Sequence, residues 1–185
     1  MKNYQFYTII VIFLLFINNS CYFCSYYSKN NDDFVSGIVI KVLDGDTYDL
    51  LLDDMTTIRV RMEGIDAPEK GMPYSKKATQ YLGEMCENRV IKINKNNIDR
   101  YGRVISYSYL DDGRELSREM LKAGYAWHYK EYNSDPELAK LEIEAQQAKR
   151  GLWQDKNPIA PWEIRKMRRK GISTKKLFEI EENNR

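Results

Sequence analysis

From residue 34 onward, apolar and polar side chains alternate in short runs: 34–43 (FVSGIVIKVL), 47–52 (TYDLLL) and 57–63 (TIRVRME). A period of two is the signature of a strand with one face buried. Turn-forming residues separate the runs, Asp44-Gly45-Asp46 after the first and Asp53-Asp54 after the second. The period then lengthens. Ala78, Tyr81, Leu82 and Met85 recur at helical spacing, which predicts an amphipathic helix over 73–88, opened by Pro73 with Ser75 near its start. Alternation returns in 89–95 (RVIKINK) and 103–110 (RVISYSYL), the latter closed by Asp111-Asp112-Gly113. Two further helices are expected at 115–123, ended by Gly124, and at 136–150, ended by Gly151. Ser134 or Asp135 supplies the N-cap of the second, and Pro136 its first turn. Five short strands and three helices without βαβ spacing predict an α+β domain around a small five-stranded β-barrel rather than an open parallel sheet.

Ahead of the first strand, residues 6–17 (FYTIIVIFLLFI) follow Lys2 in the layout of a secretory signal. Twelve helical residues span only about 18 Å, against a hydrocarbon core of about 30 Å. No charge occurs from Asn3 through Ser28, however, so both a cleaved signal and a retained anchor, with membrane association through residues 4–27, fit the pattern. Residues 1–29 are therefore expected to direct export, giving a secreted or envelope-anchored protein. Cys21 and Cys24 form a CxxC at the end of this leader with no second pair to complete a zinc site; incidental leader cysteines and lipid attachment at Cys21 are the two readings. Cys86 stands alone in the remainder and is expected to be a small buried hydrophobe. The organisation expected is thus a leader (1–29), a barrel domain (30–154) and a proline-containing linker with a charged tail (155–185).

Charge changes the picture once it is divided along the chain. Of 185 residues, 29 are Lys or Arg and 27 Asp or Glu, but residues 30–148 hold 16 basic and 22 acidic groups while 149–185 hold 11 and 5. The tail WEIRKMRRK is read either as a solvated surface segment or as an arm attracting phosphate. The single histidine, His128, excludes Ser-His, two-His and multi-His zinc plans for a hydrolase. It is expected to be a surface or packing residue. Proton transfers must then fall to carboxylates.

Those carboxylates cluster at predicted strand ends. Asp44-Gly45-Asp46-Thr47 joins two strands, Arg61, Asp66, Pro68 and Glu69 (RMEGIDAPE) lie at the end of the third, and Asp99-Arg100-Tyr101-Gly102-Arg103 opens another. Oxygen-rich groups such as Asp46 and Asp66 with a nearby carbonyl suit a hard cation. Arginine forks match phosphate oxygens bidentately and stay charged at any working pH, so Arg61 and Arg103 beside carboxylates outline a phosphodiester site. Tyr125, Trp127, Tyr129 and Tyr132 concentrate aromatic rings after the second helix, where base stacking and core packing are rival roles.

DGDT, R(x)4DAPE, DxYGR and a late GLW, in that order over about residues 35–153, resemble the staphylococcal nuclease (thermonuclease-like) family. The resemblance implies an OB-fold barrel with three helices and a Ca²⁺-dependent phosphodiesterase acting on DNA and RNA, leaving 5′-hydroxyl and 3′-phosphate ends. Position by position it implies Asp46, Asp66 and the carbonyl of Ala67 as cation ligands. Glu69 corresponds to the residue that orients or deprotonates the attacking water, and Arg61 and Arg103 to the phosphate-binding arginines. Arg100, Tyr101, Tyr129 and Tyr132 become nucleotide contacts. The partners implied are DNA and RNA, with no protein partner and a monomeric state. The alternative is a non-catalytic nucleic-acid- or protein-binding module tethered to a membrane; retention of the acids and arginines argues against it.

Overall fold

The computed structural model describes residues 34–94 and 97–173. The expected leader, with Cys21 and Cys24, lies outside the described residues, as does the chain end after 173. Among the described residues nine strands run in chain order as β1 (Phe34–Val42), β2 (Thr47–Leu52), β3 (Thr57–Met62), β4 (Ile65–Asp66), β5 (Val90–Asn94), β6 (Asn97–Ile98), β7 (Val104–Ser106), β8 (Ser108–Tyr109) and β9 (Trp127–His128). Four α-helices accompany them among the described residues: α1 (Ser75–Cys86), α2 (Leu116–Ala123), α3 (Pro136–Gln147) and α4 (Pro161–Arg169). A 3₁₀ turn covers Gly151–Gln154. The fold is α+β as expected, and each expected strand and helix forms, with ends shifted by a few residues.

The expected strand at 103–110 forms as two pieces for a physical reason. The Ser106 hydroxyl donates to the Tyr107 carbonyl at 2.7 Å and accepts the Asn94 N–H at 2.9 Å, so a side chain takes over ladder bonds at the break. The order of the main sheet is β6-β7-β3-β2-β1-β5-β8. β7 and β8 thus lie five strand positions apart, about 24 Å if the sheet were flat, yet Tyr107 alone separates them in the chain. The sheet must curl so that residues 104–109 pass from one side to the other. A register shift between Val39 and Lys41 in β1 supplies the bend that such curvature needs.

Alternation places Val39, Tyr48, Leu50, Val60, Met62, Ile91, Ile93 and Val104 on the concave face, where they pack with Ala78, Leu82 and Cys86 of α1 and Leu116, Met120 and Leu121 of α2. Full burial of each large aliphatic here is worth about 1.5–3 kcal/mol. The buried Tyr48 hydroxyl is satisfied by Ser108 at 2.7 Å. Cys86 is fully buried, as expected. Asp135, one of the two expected N-caps, accepts the Glu137 N–H at 2.8 Å, and Pro136 follows in the first turn of α3. Ser75 does not cap α1; it is the first helical residue, and the capping position is Tyr74 in the left-handed region.

The largest correction concerns the tail. Residues 161–169 form α4 rather than a solvated segment, with Pro161 in its first turn and Ile164 fully buried against Met72. Trp162 packs with Trp127, Leu152 and Ala160. The late GLW motif is structural: Gly124 and Gly151 both have positive φ and touch back to back, so a Cβ at Gly151 would fall 2.1 Å from the Gly124 carbonyl oxygen. The Leu152 N–H bonds that same carbonyl at 2.8 Å. Gly151→Ala is expected to lower stability by about 2 kcal/mol, measured as a urea midpoint shift at unchanged slope.

Candidate active site

Asp46 enters the site from the tight connection between β1 and β2. Its carbonyl accepts the Met62 N–H at 2.8 Å, which ties this loop to the end of β3. Gly45 allows the approach: a Cβ there would fall 2.7 Å from Ala67 Cβ and 2.8 Å from Ala78 Cβ. The Asp46 carboxylate reaches across to accept the Ala67 N–H at 2.7 Å, and its other oxygen accepts the Thr47 hydroxyl at 2.8 Å. Asp66 is held at the end of β4, which pairs with β9 through Asp66 and Trp127. The two carboxylates are almost sealed from solvent, Asp46 at 5% and Asp66 at 1% exposure.

Two like charges buried this closely require a cation, and Arg61 from β3 is the shared partner. Its Nη1 lies 2.9 Å from Asp46 Oδ2, and its Nη2 lies 2.9 Å from Asp66 Oδ1. Nη1 also donates to the Ile65 carbonyl at 2.9 Å, which fixes the fork. Glu69 joins the cluster through α4: Arg165 Nη2 reaches Asp66 Oδ2 at 2.7 Å, and its Nη1 reaches Glu69 Oε1 at 3.0 Å. Arg168 Nη1 reaches the second Glu69 oxygen at 2.5 Å. Burial pushes the Asp66 carboxyl upward, against the pull of the Arg165 hydrogen bond and the Arg61 charge. Asp44 is pushed up to about 7, first by burial and then by the neighbouring Asp46 charge. Burial would lower Arg165, but its hydrogen bonds and charge pairing with Asp66 and Glu69 outweigh that and carry it upward.

Of the residues expected from the sequence, Asp46, Arg61, Asp66, Ala67 and Glu69 come together. Arg103 does not join them by contact. It pairs with Asp99, Nε at 2.8 Å and Nη2 at 2.7 Å, and lies over the Tyr101 ring at 5.5 Å. Ile105 pairs with Arg61 in the parallel β3–β7 ladder, and Arg103 stands just before β7. Arg100 covers the same Tyr101 ring at 4.9 Å, and Tyr101 is 68% exposed. Tyr129 and Tyr132 meet with ring centroids 4.7 Å apart; Tyr132 is 73% exposed and so is not a core residue. Tyr129 stacks on Trp162 at 5.5 Å with planes only 3° apart, and Arg165 lies over its ring. His128 is a packing residue, as expected: it is buried in β9 with Nε2 3.1 Å from Asn133 Oδ1.

A family model described as "Staphylococcal nuclease homologue" matches residues 59–155, just over half of the chain. The chain belongs to this family. It is 40% identical over 128 residues to an "Uncharacterized endonuclease" of Escherichia coli, covering 69% of this chain and 83% of that protein. It is 46% identical over 113 residues to the "Staphylococcal-like nuclease CAN1" of Arabidopsis thaliana, covering 61% of this chain but only 35% of the plant protein. A third relative, "Protein ParB" of Escherichia coli, is 34% identical over 140 residues, covering 70% of this chain and 78% of that protein. The family fold is the OB-fold expected from the sequence motifs.

The staphylococcal nuclease family implies a divalent cation, and the donor chemistry here fits one. Asp46, Asp66 and the Ala67 backbone offer oxygen alone, which hard cations prefer. Among the described residues no group of three or more His, Cys, Asp or Glu is arranged to hold a metal, so carbonyl and water oxygens would have to complete the shell. Sequence reading missed α4 as part of this site: Trp162, Arg165 and Arg168 lie after the matched span, whose motifs end at GLW. The available signal was Ile164 and Met167 at helical spacing behind Pro161, with Trp162, Arg165 and Arg168 repeating every third residue beside them. Arg61→Ala leaves Asp46 and Asp66 without their common partner. It is expected to cost about 3 kcal/mol of stability in urea denaturation.

Proposed function

We propose that this member of the staphylococcal nuclease family is an exported, Ca²⁺-dependent phosphodiesterase that hydrolyses DNA and RNA. The observation that carries the reading is the single cluster formed by Asp46, Arg61, Asp66 and Glu69 in a chain whose relatives are named nucleases and endonucleases. Catalysis by this set is electrostatic and acid–base in kind.

Asp46, Asp66 and the Ala67 carbonyl would hold the cation, which when bound supplies neutralisation of a phosphoryl oxygen. Glu69 orients a water or takes its proton as the water attacks phosphorus, because a carboxylate within hydrogen-bond reach makes a weak nucleophile competent. Arg61 presents a guanidinium already held in place by two backbone carbonyls to meet the charge that grows on the phosphoryl oxygens. Arg103 takes the second phosphate contact after exchanging from Asp99 to the substrate. Tyr101 with Arg100 above it, and the exposed Tyr132 beside Tyr129, provide sequence-tolerant stacking surfaces for sugar and base. Cleavage between the 5′ oxygen and phosphorus leaves 5′-hydroxyl and 3′-phosphate ends. Export rests on the apolar run at residues 6–17, and a reporter fused after residue 29 is the direct check.

The purified protein is expected to degrade both plasmid DNA and RNA with Ca²⁺ and to stop on chelation. Nucleic acid bound but uncut would favour a non-catalytic binding module instead. Glu69→Ala is expected to lower turnover by roughly 100-fold or more with substrate affinity little changed. Arg103→Ala, in contrast, should raise KM and lower kcat together, as read from steady-state kinetics on an oligonucleotide. End-group analysis of the products checks the cleavage position.

A further inference from the structure

The two guanidiniums that reach the carboxylates from α4 belong to a part of the chain beyond the residues that the family model matches. Arg165 and Asp66 are 99 positions apart. Arg165 takes Asp66 Oδ2 at 2.7 Å, approaches Oδ1 at 3.3 Å and reaches Glu69 Oε1 at 3.0 Å, and Arg168 takes the other Glu69 oxygen. With Arg61 on the remaining Asp66 oxygen, every oxygen of Asp66 and Glu69 is engaged by a guanidinium. Counted by formal charge, Asp46, Asp66 and Glu69 are matched one for one by Arg61, Arg165 and Arg168.

A dication cannot simply be added to such a cluster. It would take carboxylate oxygens at about 2.3–2.6 Å, within contact distance of guanidinium nitrogens bound to the same atoms, and add positive charge where each carboxylate already has a guanidinium partner. Arg61 is held from behind by the Met62 and Ile65 carbonyls and sits within the sheet. Arg165 has no such backbone anchor among its hydrogen bonds, is about one-third exposed, and sits on a helix attached through the buried Ile164 and the Trp162–Tyr129 stack. It is the partner that can leave.

We propose that α4 is an intramolecular counter-ion for the site: Arg165, steadied by the neighbouring Arg168–Glu69 pair, competes with the divalent cation for Asp66 and sets the cation concentration at which the site fills. The inference rests on reading Asp66 as a cation ligand. α4 is a latch that a cation opens by displacing Arg165 from Asp66, so whatever weakens the latch tightens the cation.

Calorimetric titration of the full chain with Ca²⁺ alone tests this without reference to activity. Arg165→Ala is expected to bind Ca²⁺ about tenfold more tightly than the unchanged protein, the size of an ordinary coupling between two sites. Arg165→Lys, which keeps a charge but loses the fork, should gain less. Lys166→Ala removes one positive charge from the exposed side of the same helix and should change nothing. Unchanged or weaker Ca²⁺ binding by Arg165→Ala overturns the proposal, as does an equal gain by Lys166→Ala, which would mark a general charge effect, or the absence of Ca²⁺ binding in every protein. If thermal melting shows that Arg165→Ala does not fold, Arg165→Lys decides by the same sign. Digestion of plasmid DNA by the same samples separates the two readings: tightened Ca²⁺ binding without cleavage leaves the latch standing and removes the nuclease, whereas cleavage with unaltered affinities removes the latch alone.

Discussion

The site depends on Arg61. Asp46 and Asp66 come from different loops and are nearly sealed from water, where two carboxylates repel and each loses its hydration. One guanidinium between them, 2.9 Å from each, turns that repulsion into a bridge. The same residue ties the end of β3 to β4 by donating to the Met62 and Ile65 carbonyls. Stability and chemistry are therefore coupled at this point: the group suited to stabilising a phosphoryl transition state is the group that makes the acid pair tolerable.

The curled sheet gives this bridge its geometry. β1–β3 deliver Asp46 and Arg61 at adjacent strand ends, and the close contact of Gly45 with Ala67 and Ala78 brings the next loop within hydrogen-bond distance of Asp46. Helix α1 backs that contact, so the core cluster built on Leu50, Met62 and Leu82 also supports the carboxylates. On the other side, β9 holds Asp66 through a two-residue ladder and leads directly into Tyr129 and Tyr132. Arg103 immediately precedes β7, the strand that pairs with β3, and is paired to Asp99. Such an arrangement supplies preorganised charge near the carboxylates and more adjustable charge at the rim.

Much of this was legible before any coordinates. Period-two runs located the strands, because a curled sheet with one buried face forces alternation on each of them. DGDT and R(x)4DAPE pointed to the cluster since both motifs sit at strand ends that adjacent strands must bring together. The division of 103–110 at Tyr107 was not legible, as it depends on the Ser106 hydroxyl meeting Asn94 across the sheet. The packing of Gly124 on Gly151 was equally invisible: each glycine reads as a helix end, and only their contact explains why neither tolerates a side chain.

The amino-acid sequence by itself determined the α+β class, the order of five longer strand segments and three helices, and the acids and arginines grouped around residues 44–69, because these follow from local periodicity and from neighbours a few tens of residues apart. What only the tertiary structure decided is the part played by α4. A run such as WEIRKMRRK carries the same charge whether it is solvated, laid on a phosphate or turned inward. Burial of Ile164 and the stack of Trp162 on Tyr129 choose the third, setting Arg165 and Arg168 on Asp66 and Glu69 across almost one hundred residues. Electrostatic partnership at that separation is a property of packing, since charge specifies an attraction but only the docked helix specifies which carboxylates receive it.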